Sequence, residues 1–178
     1  MIGMRGKENQ IALDLMCKYL NLLDKTMAEI GAYAGEGTEV FARYCNTVYA
    51  IDSWDVGKEI SNGSIHEHKN LMTEDVEKAF NERVKEYPGV VKLKMYDMEA
   101  LGYIDEQSLD FVYIDAEHTE EEVRRQITMW LPKLRMGGIM GGHDFNSSFP
   151  GVVKAVREAL GEPDKLFTDG GTSWAKFI

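Results

Sequence analysis

Glu29-Ile30-Gly31-Ala32-Tyr33-Ala34-Gly35-Glu36-Gly37-Thr38 is the stretch on which the reading of this sequence turns. A short apolar run, Met27–Gly31, leads into it, and a helical pattern over 36–45 leads out. Glycines between a strand and a helix let backbone approach a ligand without a Cβ clash, and the helix start offers free N–H groups. The spacing Gly-x3-Gly-x-Gly differs from the dinucleotide fingerprint Gly-x-Gly-x2-Gly, so a pyrophosphate is not the ligand it suggests. A tight turn with no ligand remains the alternative for this loop taken alone.

Outward from the turn, the pattern alternates. Thr47–Asp52, Val90–Met95, Phe111–Asp115 and Ile139–Gly142 read as further strands, and roughly 68–86, 119–134 and 151–160 as helices between or after them. Val123, Ile127, Trp130, Leu131 and Leu134 form one apolar stripe, and Leu71, Val76, Phe80 and Val84 another. Strands alternating with amphipathic helices predict βαβ units and a Rossmann-like, doubly wound α/β fold on a mostly parallel sheet. The tail differs. Lys165–Thr168 and Ser173–Ile178, joined by Asp169-Gly170-Gly171, predict an antiparallel hairpin at the end of the sheet. An opening helix over 8–23, broken at Asp24-Lys25, has a wide apolar face for the sheet or a partner chain, which makes a homodimer a reasonable expectation. The 178 residues contain no repeat or linker at which a second domain would begin, so one domain over 1–178 is expected.

Acidic residues outnumber basic ones 30 to 20, and the net charge of −10 would repel a phosphate backbone, so nucleic acid is not the expected partner. No apolar run is long enough to span a membrane and the start lacks a signal-peptide core, which predicts a cytoplasmic protein. Cys17 and Cys45 lie in helical patterns without a partner motif and read as buried apolar residues.

Three groups of polar residues fall at predicted strand ends. Asp52 ends the second strand, where a carboxylate can accept from two ribose hydroxyls or cap a turn. Asp115 ends a run of apolar residues, with His118 three positions on; that histidine suits proton transfer, or it caps the helix starting at Thr119. His143-Asp144 ends the neighbouring strand. Together Asp115, His118, His143 and Asp144 can crowd one crevice, holding a divalent cation such as magnesium, manganese or iron, or forming a metal-free polar cluster. His66 and His68 fall in a polar segment that reads as a loop over the site.

Taken in order, Glu29-Ile-Gly31, Tyr49-Ala-Ile-Asp52-Ser53-Trp54, Phe111-Val-Tyr-Ile-Asp115-Ala-Glu-His118, Trp130-Leu-Pro-Lys-Leu-Arg-Met-Gly-Gly138 and Gly142-His143-Asp144-Phe145 resemble the small class I S-adenosylmethionine-dependent methyltransferases. The likeness is to the bacterial macrocin-type O-methyltransferases, and extends to Phe149-Pro-Gly and Thr172-Ser-Trp174. It implies S-adenosylmethionine as cofactor, with Glu29, Gly31, Tyr33 and Gly35 along its methionine end. Asp52, with Ser53 and Trp54, would lie at the ribose and Asp97 at the adenine. It further implies cation ligands at Asp115, His143 and Asp144, and a catalytic base at His118 beside Asp115. The chain departs from the pattern at His143, where metal-dependent relatives place an acid. The acceptor implied is a hydroxyl of a small molecule. An NAD-dependent oxidoreductase, or a catalytically silent cofactor-binding module, are the competing readings.

Overall fold

A computed structural model describes residues 7–55, 73–168 and 172–178. His66, His68, Leu71 and the turn Asp169–Gly171 lie outside these residues.

The elements run in the order α1 (Lys7–Tyr19), β1 (Thr26–Ile30), α2 (Glu36–Ala42), β2 (Thr47–Asp52), α3 (Thr73–Val84), β3 (Val90–Lys94), α4 (Asp97–Ala100), β4 (Leu109–Ile114), α5 (Glu120–Trp130), β5 (Leu134–Gly142), α6 (Pro150–Leu160), β6 (Lys165–Phe167) and β7 (Ser173–Phe177). The seven strands form one sheet in the order β3-β2-β1-β4-β5-β7-β6. All its pairings are parallel except those of β7, which runs antiparallel to both β5 and β6. The expected closing hairpin is therefore present, but its second strand inserts between β5 and the first.

Burial follows the pleat. β4 is buried along its whole length. Its Val112 and Ile114 pack into a core with Val123, Ile127 and Trp130 of α5 and Val152 and Val156 of α6. Phe111 and Tyr113 point to the other face, against Leu13 and Met16 of α1 and Phe41 of α2. Alternate residues serving two cores are what a strand covered on both sides requires. α1 buries Leu13, Met16 and Cys17 and leaves Ile11, Leu15 and Tyr19 exposed. No helix among the described residues is long and apolar enough to cross a membrane.

Two predicted boundaries move for identifiable reasons. α1 ends at Tyr19 rather than near 23, and Asn21 and Asp24 take left-handed backbone, φ 51° and 60°, which helices do not continue through. The apolar stripe past Trp130 is not helix: Leu131–Lys133 is a 3₁₀ turn containing Pro132, and Leu134 already begins β5. Proline cannot donate the backbone bond that would carry α5 onward.

Candidate active site

The parallel register aligns the site. Ile51, Ile30, Ile114 and Gly142 are neighbours across β2, β1, β4 and β5. The residues one step beyond them, at the carboxyl ends of the strands, are Asp52, Gly31, Asp115 and His143. Backbone bonds extend the ladder into this row: Gly31 N–H donates to Ile51 O (2.9 Å), Asp115 N–H to Ile30 O (2.8 Å) and His143 N–H to Ile114 O (3.0 Å). The row crosses the point between β1 and β4 where the strand order reverses, the place where open α/β sheets bind ligands. Two strand spacings separate Asp52 from Asp115, or roughly 10 Å.

On the β1–β2 side, backbone makes the shape. Gly31 has φ +91°, and a Cβ there would run into the Asp115 carbonyl oxygen, so only glycine lets the two strand ends meet. Gly35, φ +82°, is the residue before α2, and a Cβ on it would press within 2.9 Å of the Phe80 ring. Tyr33 lies between them in left-handed backbone, φ 44°. Asp52 holds the turn: its Oδ2 accepts from Tyr33 N–H (2.8 Å) and its Oδ1 from Trp54 N–H (2.7 Å). Burial pushes the Asp52 carboxyl up from its ordinary value, and the two amide donors work against that shift. A carboxylate has about four acceptor sites, so two hydroxyl donors can still be accommodated.

Glu29, Trp54, Asp97 and Ser53, among the expected cofactor residues, have partners within the chain. Glu29 is 1% exposed and accepts from Thr38 Oγ1, beneath the start of α2. The Trp54 indole is equally buried, 4.8 Å from the Phe80 ring, and donates from Nε1 to Tyr33 O (2.7 Å). Both brace the glycine turn from behind. Asp97 has both oxygens 3.0 Å from an Arg125 guanidinium nitrogen, which ties α4 to α5. Ser53 Oγ accepts from Asp55 N–H at 3.1 Å, closing the turn that carries Asp52.

On the β4–β5 side, side chains make the site. Asp115, His118 and Asp144 each present one donor atom, and these atoms lie within 4.8 Å of one another. His118 Nε2 is 2.7 Å from Asp144 Oδ2, and His143 Nδ1 is 3.0 Å from Asp144 Oδ1 and 3.8 Å from Asp115 Oδ1. His118 thus joins both carboxylates, and His143, the ligand that the resemblance implies, also lies against both. Burial raises the Asp144 carboxyl, but contacts with both imidazoles outweigh it and hold the group well below the usual carboxylate range. Asp144 has left-handed backbone, φ 60°.

Residues to which the sequence gives no site role complete this half. Phe149 packs its ring 4.7 Å from that of His118. Gly151, at the start of α6, lies where a Cβ would come within 2.9 Å of His118 O. Trp174 of β7 walls a small crevice together with Glu117, Val123 and Val152, beside Asp115, His118 and His143. Helical periodicity marks Val123 as apolar but gives none of these residues a place at the site, because that depends on tertiary pairing.

A model of the methyltransferase domain family matches residues 28–145. A search of curated proteins finds no match. Solved structures similar to this chain include an O-methyltransferase from Bacillus cereus in complex with SAH, with a TM-score of 0.64, 15% identity, and coverage of 97% of this chain and 80% of that one. An RNA methyltransferase from Salinibacter ruber in complex with S-adenosyl-L-homocysteine has a TM-score of 0.64 at 15% identity, covering 99% and 94%. A precorrin 8W decarboxylase from Methanobacterium thermoautotrophicum has a TM-score of 0.65 at 13% identity, covering 98% and 91%. At such identities the likeness is one of fold, and it does not single out the macrocin-type group. The family match spans the glycine turn, Asp52, Asp115 and Asp144, and the chain belongs to the methyltransferase domain family, on the Rossmann-like class I fold.

Proposed function

We propose that this protein is an S-adenosylmethionine-dependent methyltransferase that methylates a hydroxyl oxygen of a small molecule, with a divalent cation beside the reacting oxygen. The observation that carries this reading is the alignment of Asp52, Gly31, Asp115 and His143 in one row at the switch point. In this reading Asp52, the acceptor for a ribose, and the cluster suited to oxygen activation stand about two strands apart.

When bound, the cofactor supplies a methyl group on a sulfonium sulfur, and the cation a positive charge that favours the deprotonated form of the acceptor oxygen. The chain's own residues do the rest. Asp52 accepts from the ribose hydroxyls, while Gly31 and Gly35 let backbone close on the cofactor without a Cβ in the way. Asp97 is assigned to the adenine side, and Tyr33 to the methionine side. The donor chemistry fits a cation: two carboxylates and an imidazole converge, and the buried ring nitrogens of His118 make no directed hydrogen bond. The imidazoles of His118 and His143, both against Asp144, are the groups able to take the acceptor's proton. Methyl transfer is a displacement in line, so fixed positioning of the two reactants contributes much of the rate.

A small molecule is favoured over RNA as acceptor by the formal charge of −10. Cytoplasmic location and a homodimer through the exposed face of α1 complete the proposal.

Calorimetry with S-adenosylhomocysteine and with NAD tests the cofactor: binding of the first and none of the second is expected, and the reverse would replace the methyltransferase reading by an oxidoreductase. Replacing His118→Ala should lower turnover by about a hundredfold or more and leave S-adenosylhomocysteine affinity nearly unchanged. An equal loss of both would remove His118 from the chemistry. Tight cofactor binding with no turnover on any sugar, phenol or other small hydroxyl acceptor would point to a silent binding module.

A further inference from the structure

The cation site of the proposed methyltransferase contains an imidazole, and that has a consequence for which cation it takes. We propose that His118 is a ligand rather than the base, and that the Asp115–His118–Asp144 set selects a first-row transition metal such as Mn2+, Co2+ or Ni2+ over Mg2+. This rests on the reading of the cluster as a cation site beside the reacting oxygen.

The geometry supports His118 in three ways. Its donor atom belongs to the converging set, within 4.8 Å of donors on Asp115 and Asp144, a span that ligands on opposite sides of a cation at roughly 2.0–2.4 Å would have. Its Nε2 stands only 2.7 Å from Asp144 Oδ2, yet neither buried ring nitrogen makes a directed hydrogen bond. Finally, the ring is held: Phe149 packs 4.7 Å from it, and the Gly151 backbone closes against the His118 carbonyl. Such clamping gives a ligand a fixed direction.

The donor chemistry then sorts the cations. Mg2+ prefers all-oxygen, water-rich octahedral sites and gains little from imidazole nitrogen. Mn2+, Co2+ and Ni2+ accept imidazole, with affinity rising in that order. His143 Nδ1, 3.0 Å from Asp144 Oδ1 and 3.8 Å from Asp115 Oδ1, borders the same cluster and is the imidazole assigned to the acceptor's proton.

The test is metal binding to the full chain, read by calorimetry and by pulsed electron paramagnetic resonance of bound Mn2+. The wild-type protein should bind Mn2+ at least about tenfold more tightly than Mg2+. Its spectrum should show coupling to an imidazole nitrogen. In His118→Ala that coupling should vanish and Mn2+ affinity fall by about tenfold to a hundredfold, with Mg2+ affinity changed far less. His118→Asp should shift the preference towards Mg2+. His143→Ala should keep the nitrogen coupling. Equal wild-type affinity for the two cations, coupling that survives His118→Ala and disappears in His143→Ala, or no Mn2+ binding at all would each overturn the proposal. S-adenosylhomocysteine binding, measured on the same samples, shows that each variant is folded and tests the methyltransferase reading separately.

Discussion

The two halves of the site are built by different means. On the β1–β2 side the shape is backbone: left-handed Gly31, Tyr33 and Gly35, with Asp52 tying two amides together. On the β4–β5 side it is side chain: Asp115, His118, His143 and Asp144 converge from two strand ends and one loop. The first half tolerates almost no change in main-chain path, and a single added methyl group would break it. The second depends on charge and donor type, so substitutions there should alter chemistry while sparing the fold. A constant cofactor and a variable acceptor call for that division.

The sharpest way to break the contrast is at the join between the halves. Gly31→Ala should destabilise the protein by about 3 kcal/mol or more, since it adds left-handed strain to a clash with the Asp115 backbone. Thermal denaturation and S-adenosylhomocysteine binding should fail together.

Asp144→Asn should do the opposite. Asn tolerates left-handed backbone, so the fold should remain, and turnover should fall by about a hundredfold or more with S-adenosylhomocysteine affinity within about threefold. Steady-state kinetics beside calorimetry would show the split. A parallel loss of affinity would mean that the two halves are not separable.

Asp52→Ala should weaken S-adenosylhomocysteine by roughly tenfold to a hundredfold, the worth of charge-assisted hydrogen bonds. The pH dependence sharpens this. Burial raises the folded-state pKa of Asp52, so the fold favours its neutral form. Its contribution to stability is present below the unfolded value of about 4 and lost as pH rises through the folded value. Acidification should therefore weaken S-adenosylhomocysteine binding while easing this one group's cost to the unliganded fold. Both trends should disappear in Asp52→Ala.

The smallest effect is expected far from either half. Burial pushes the Cys45 thiol up to about 12 and the Cys17 thiol higher still. Burial thus holds both cysteines as thiols at pH 8. Neither cysteine should react with a disulfide reagent in the folded protein, and both should react after unfolding.

Much of the backbone half is legible in sequence, because glycine spacing and strand-terminal acids report local constraints. The apolar runs place β1, β2 and β3 to within a residue, while β4 begins two residues and β5 five residues earlier than its apolar run suggests. Leu131 and Leu134 continue a helical stripe that Pro132 interrupts. α4 is four residues long, too short for any periodicity to show. Glu29 and Trp54 occupy motif positions, yet pairing with Thr38 and packing on Phe80 turn them inward. Asp97 meets Arg125 only because α5 folds over α4, 28 residues later in the chain. The side-chain half is legible as a list of residues and not as an arrangement. How His118 is held among the carboxylates involves the Phe149 and Gly151 contacts, which come from the turn before α6 and its first residues.

The central claim is that S-adenosylmethionine lies along the strand-end row, with its ribose on Asp52 and its sulfur towards Asp115. A crystal structure with S-adenosylhomocysteine tests it most directly. The account predicts both ribose hydroxyls on the Asp52 carboxylate and the sulfur on the side of Asp115, His118 and Asp144. A ribose bound away from Asp52, or a sulfur pointing away from that cluster, would contradict it.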